Sequence, residues 1–94
     1  MTGATPLYTA VEEGHFDIVR LLIANGANIN KCPSGEWATQ LSINNQSPLL
    51  LACIKNNTDV AEYLIENNAD VNLVNDRGSS PLLAVCQYNN LSKF

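Results

Sequence analysis

The sequence is short of positive charge. Five Lys and Arg residues stand against nine Asp and Glu over 94 residues, a net charge of −4, and the five are scattered rather than clustered. That excludes the electrostatic footprint a nucleic-acid backbone requires. Long apolar runs are also missing: none approaches the roughly 20 residues that span a bilayer. Residues 1–10 lack the basic start and apolar centre of a secretory signal, so no membrane insertion is expected. One histidine, His15, and three widely spaced cysteines, Cys32, Cys53 and Cys86, leave no paired ligands for zinc and no even-numbered disulfide framework. A reducing, intracellular setting is the simplest expectation, cytoplasmic with the nucleus also open. Three Asn-Xaa-Ser/Thr triplets, at Asn45, Asn56 and Asn90, read as chance products of an Asn-rich chain without a secretion signal.

What is present is 46% apolar residues, enough for the core of one small domain, and an internal repeat. Thr5-Pro6-Leu7-Tyr8-Thr9-Ala10, Ser47-Pro48-Leu49-Leu50-Leu51-Ala52 and Ser80-Pro81-Leu82-Leu83-Ala84-Val85 share a hydroxyl residue, a proline and a leucine. The last two prolines are 33 positions apart. Residues 14–30 align without a gap to residues 56–72, with Ile18 matching Val60, Asn28 matching Asp70 and Ile29 matching Val71.

Each part has a physical reading. Thr5, Ser47 and Ser80 are suited to cap a helix, and the proline after each lacks only a donor that the first turn leaves unused. A short helix then runs to about Glu13 and about Lys55, where Gly14 and Asn56 accommodate left-handed backbone. A second helix follows, its apolar stripe formed by Ile18, Val19, Leu22 and Ile23 and matched by Val60, Ala61, Leu64 and Ile65. Asn25-Gly26 and Asn67-Asn68 end it. Residues 27–30 and 69–72 read as extended connectors, and Asn75-Asp76-Arg77-Gly78 as a turn.

With that register on the page, the chain resembles the ankyrin repeat family: the Pro-Leu starts, Gly14-His15, Leu21-Leu22 and Gly26-Ala27-Asn28-Ile29-Asn30 coincide with its motif, and 33 is its period. The resemblance implies an all-α solenoid of stacked helix-turn-helix units joined by β-hairpin or turn connectors. The expected division is repeat 1 over about 3–32, an insert over about 33–46, repeat 2 over about 47–78 and a partial repeat 3 over about 79–94.

Three departures stand out. The first two prolines are 42 positions apart, so about nine residues are inserted where the family places its hairpin. There Trp37, Thr39, Leu41 and Ile43 alternate with Ala38, Gln40 and Ser42 at strand period, which predicts a lengthened first hairpin. It is either a binding finger or a surface loop whose Trp37 covers the neighbouring repeat. Second, repeat stacks need about three units, so two repeats and half a third predict a fragment of a longer array. Third, Tyr8, Leu50 and Leu83 stand where the family has a histidine, which predicts a weakened local hydrogen-bond network.

No acid, base, nucleophile or ligand set converges along the chain, so neither catalysis nor a cofactor or small-molecule substrate is expected. His15 falls at the inter-helix turn and reads as structural. Cys53 and Cys86 occupy the place of Val11 in successive units, and neighbouring helices about 8–10 Å apart exceed the roughly 7 Å limit for a bridge. Both read as small packing residues, whereas Cys32, near a turn, reads as an accessible thiol. The acidic residues are spread out and read as solvated surface.

The resemblance implies another protein as the partner, taken at the hairpin tips and the exposed ends of the first helices. Carried onto this chain, these are Cys32, Val74, Asp76, Arg77 and Ser79, then Glu12, Glu13, Ile54, Lys55, Gln87 and Tyr88, with Trp37 added from the insert. Ile54 and Tyr88 are the apolar anchors and Arg77 the polar one. The alternative is a spacer within a larger multi-ankyrin protein.

Overall fold

Two helix pairs form the body of the molecule, and the same local rules build both. The computed structural model describes residues 5–40 and 45–81, and of Glu36 and Trp37 the backbone alone. Among these residues the elements are α1 (Pro6–Glu13), α2 (Phe16–Ala24), α3 (Gly35–Gln40), α4 (Pro48–Ile54) and α5 (Thr58–Glu66). Thr5 caps α1, its hydroxyl oxygen accepting from the Tyr8 N–H at 2.9 Å, and Ser47 caps α4 by accepting from Leu50 N–H at 3.1 Å. A proline opens each of these two helices. Ser80-Pro81 repeats the start: Pro81 is buried and helical, and residues 82–94 lie outside the described range.

All four long helices stop the same way. Gly14 N–H donates to Val11 C=O while His15 N–H donates to Ala10 C=O, a Schellman pattern that satisfies carbonyls the helix leaves open. The pattern recurs with Gly26 and Ala27 after α2, Asn56 and Asn57 after α4, and Asn68 and Ala69 after α5. It needs left-handed backbone at its first residue, and the φ values are 75° and 86° at Gly14 and Gly26, 57° and 70° at Asn56 and Asn68. Glycine does this without strain, and asparagine is among the few other residues that manage it.

α1 packs on α2 and α4 on α5, while α1 lies against α4 and α2 against α5. Leu7, Tyr8, Val11 and Val19 meet Leu49, Leu50, Val60 and Leu64 in one continuous core. Each such side chain contributes roughly 1.5–3 kcal/mol by leaving water. A second contact joins the outer helices: the Phe16 and Tyr63 rings meet edge to face at 5.6 Å, with the Arg20 guanidinium 5.9 Å from the Phe16 centroid.

Four expectations change. The inserted segment does not extend as a strand over its described part: residues 35–40 are helical, and the described residues contain no strand. Only residues 37–40 of the alternating stretch fall in this helix, about one helical turn, too short to separate the two periods. Ala38 supplies the buried side and Thr39 Oγ donates to Gly35 C=O at 3.1 Å. Leu41 and Ile43 lie outside the described residues.

The connectors also close into turns rather than running extended. Asn28 Oδ1 accepts from Asn30 N–H at 3.1 Å, and Asp70 Oδ1 accepts from Asn72 N–H at 2.9 Å. These Asx turns are the local alternative that Asn and Asp offer the backbone. One further bond, Asp70 N–H to Asn30 Oδ1 at 2.8 Å, ties connector to connector. Within the α2 stripe, Val19 is buried and Leu22 and Ile23 are half-buried, but Ile18 is 46% exposed where its counterpart Val60 is 1% exposed. Val60 belongs to the core shared by the two helix pairs, whereas Ile18 lies outside it. Finally, at the first of the three positions that lack the histidine a side-chain hydrogen bond is kept, while Leu83 lies outside the described residues. Tyr8 is buried, and its hydroxyl oxygen accepts from Gln46 Nε2 at 2.9 Å.

Candidate partner-binding surface

The surface is best built from the 75–78 turn outward. Asn75 N–H donates to Ser79 C=O at 2.9 Å and Gly78 N–H to Asn75 C=O at 3.0 Å, closing the turn, with Gly78 at φ 79°. The buried Asn75 side chain braces it from inside: Oδ1 accepts from both Arg77 N–H and Ser79 N–H at 2.9 Å. Val74, Asp76 and Arg77 remain exposed on this frame, Val74 by 50%, and Ser79 is half-buried. Asn45 Nδ2 donates to Asp76 Oδ1 at 2.8 Å.

The first helices add their carboxy ends. α1 and α4 lie against each other in the same repeat register, so Glu12 and Glu13, both exposed, neighbour the ends of α4 at half-buried Ile54 and exposed Lys55. Cys32 is half-buried, its thiol directed to Asn30 C=O at 3.4 Å, and burial raises its pKa. It is less accessible than its place near a turn predicts. Burial pushes the Cys53 thiol up to about 11, which keeps it protonated and unreactive inside the core. The Trp37 side chain, and Gln87, Tyr88 and Cys86 entirely, lie outside the described residues.

Sequence reasoning missed the relay beneath the tip. Gln46 joins Tyr8 to Asn75, its Oε1 accepting from Asn75 Nδ2 at 3.4 Å, and its partners sit 38 and 29 positions away in sequence. Burial raises the Tyr8 pKa; the Gln46 bond lowers it, and the charges of Glu12 and Cys32 raise it again. No buried side-chain polar atom among the described residues lacks a hydrogen-bond partner. The exposed apolar residues Leu21 (59%) and Val71 were likewise not anticipated. Leu21 borders a shallow groove of about 340 Å³ with Asp17, Arg20, Ala24 and Tyr63 on the outer helices. No helix among the described residues is long and apolar enough to cross a membrane.

Comparison with known proteins places this geometry. The family model for the ankyrin repeat matches residues 2–33, and the model for ankyrin repeats in three copies matches residues 32–93. The chain is similar to the ankyrin repeat and KH domain-containing protein mask-1 of Caenorhabditis elegans, 36% identical over 93% of this chain and 3% of that protein. It is similar to human protein phosphatase 1 regulatory subunit 27, 34% identical over 85% of this chain and 46% of that protein. It is also similar to the human transient receptor potential cation channel subfamily A member 1, 33% identical over 94% of this chain and 7% of that one. The chain thus spans less than half the length of each of these relatives. With the helix pairs, the shared helix ends and the matches over nearly its whole length in agreement, the chain belongs to the ankyrin repeat family.

Proposed function

We propose that this chain binds a partner protein along the edge formed by the 74–77 tip and the carboxy ends of α1 and α4. Ankyrin repeats are in general protein-interaction modules rather than catalysts. One observation carries the finer reading: the Asn75 side chain braces the tip from inside while Val74, Asp76 and Arg77 stay exposed. A surface held before binding loses less entropy on association, and arginine is enriched among the residues that anchor interfaces. Ile54 extends the same edge, with Glu12, Glu13, Lys55, Cys32 and Ser79 as its flanks. By register Gln87 and Tyr88 continue it into the third unit, and Trp37 joins from the insert.

The relatives range from a regulatory subunit to a channel, so family membership leaves the partner's identity open. Proximity labelling on the full-length protein supplies candidates, and titration then tests the face. The double variant Ile54→Ala, Arg77→Ala is expected to weaken a direct partner at least about tenfold. Unchanged affinity moves the site elsewhere.

A second reading, a segment within a longer stack, has its own observation. Pro48 and Val60 are buried, yet their counterparts Pro6 and Ile18 are exposed and line an open groove of about 380 Å³ with Thr9 and Ala10. In that reading Ile18→Asp destabilises the full-length protein but not the isolated 94-residue chain. Equal insensitivity of both removes it.

A further inference from the structure

The relay beneath the tip differs from ordinary repeat packing in one respect: the inserted segment supplies it. Gln46 is 8% exposed and lies immediately before the Ser47 cap, and both ends of its amide are engaged. Its orientation follows from hydrogen-bond logic. Asn75 Oδ1 is taken by two backbone N–H groups, so Asn75 turns its Nδ2 towards Gln46. Gln46 must therefore offer oxygen to Asn75 and nitrogen to Tyr8. Asn45, at φ 62°, adds the bond to Asp76 at the outside of the same turn.

The repeat register shows that this arrangement is not the generic one. The two residues before the Thr5 cap are Gly3 and Ala4, and those before Ser80 are Gly78 and Ser79, with no amide side chain in either pair. Tyr8 has only leucine counterparts, Leu50 and Leu83, which carry no hydroxyl. Tyr8, Gln46 and Asn75 thus come from three separate stretches of the chain, and each makes sense chiefly through the other two.

We infer that Asn45 and Gln46 are positioning residues for partner recognition: together they fix the 74–77 tip against α1 in the conformation that binds. The inference rests on the reading of that tip as part of the binding edge. Removing Gln46 leaves Asn75 and the Tyr8 hydroxyl without their buried partner, so the tip loosens while the helix pairs remain packed. The insert then has a purpose that does not require it to touch the partner: it sets the shape of the surface beside it.

Amide hydrogen exchange by NMR tests this on the whole chain without a partner. The reporters are the N–H groups of Arg77 and Ser79, both held by Asn75, with Leu64 in the core of α5 as reference. Gln46→Ala is expected to speed exchange at Arg77 and Ser79 about tenfold or more, with Leu64 unchanged. Tyr8→Phe and the surface change Asn45→Ala are expected to act in the same direction and less strongly, and Asn45→Ala decides the matter should Gln46→Ala not fold. Unaltered exchange at Arg77 and Ser79 overturns the inference. Equal acceleration at Leu64 also overturns it, since the relay would then hold the whole fold rather than the tip. Affinity for an identified partner is a separate measurement: if Arg77→Ala leaves it unchanged, the binding edge is misplaced whatever the exchange shows.

Discussion

The α1–α2 pair and the α4–α5 pair follow one plan and live in different surroundings. Pro6 and Pro48, Thr9 and Leu51, and Ile18 and Val60 occupy matching places, yet the first member of each is open to solvent or half-open and the second is buried. Where position is shared and burial is not, sequence pattern reports what a residue is built for and packing reports whether the neighbour is there. Comparing the pairs therefore separates the stability of a unit from that of its neighbour contacts, the two terms that govern repeat proteins.

The sharpest way to break that comparison is to place a charge at one matched position in each pair. Val60→Asp is expected to cost more than about 3 kcal/mol, since it buries an unpaired carboxylate, whereas Ile18→Asp in the 94-residue chain stays within about 0.5 kcal/mol. Urea denaturation of both measures the gap, and similar costs would abolish it. Next is the place of the missing histidine. Leu50→Ala is expected to lose about 2–5 kcal/mol through cavity formation, and Tyr8→Phe about 1–2 kcal/mol by leaving the Gln46 amide short of a partner.

Smaller effects sharpen the contrast. Ser47 is buried and Thr5 only half-buried, so Ser47→Ala is expected to cost nearer about 2 kcal/mol and Thr5→Ala nearer about 0.5 kcal/mol. At the helix ends the sign reverses between the pairs. Gly14→Ala is expected to cost about 1 kcal/mol from backbone strain alone, because an added Cβ there meets no atom within 4 Å. Asn56→Gly is expected to change stability by no more than about 1 kcal/mol, in the stabilising direction, since asparagine carries part of the same strain. The least visible effect appears only in alkali. Cys53 is raised from 9.0 to about 11 in the folded chain, so its contribution is complete below pH 9 and disappears as pH rises through about 11. Cys53→Val, which installs the residue of the first pair at this place, is expected to make the loss of stability over that window shallower. Thermal melts across that range check it.

The helix pairs were legible because their signals are local: a capping hydroxyl, a proline at the first turn, a glycine or asparagine at the stop. Gly14 and Asn56 announce left-handed backbone by residue type, and the matching stripes of Val19 with Leu22 and Ala61 with Leu64 need only helical spacing. The inserted segment was not legible, since residues 35–40 contain too few side chains to separate a period of two from one of 3.6. The exposure of Ile18 also escaped, because an apolar residue in register carries no mark of whether its neighbour is present. For the surface, the tip at Val74, Asp76 and Arg77 follows from its turn residues. Its brace does not: Gln46 reads as one more polar residue until the chain brings Tyr8 and Asn75 to it.

The bonds that cross between the helix pairs also bear on how such a chain can change over generations. Asp70 reaches Asn30 just before the inserted stretch, and Gln46 reaches Tyr8 from its last residue. The stacking of α1 on α4 and α2 on α5 is secured at both edges of the detour. A spacing of 42 between the first two proline starts accordingly still brings α1 against α4 and α2 against α5. Lengthening such a detour adds only about 0.6 kcal/mol of closure entropy for each doubling. The recurring unit is the helix pair, and the added length between the first two proline starts leaves the two pairs stacked.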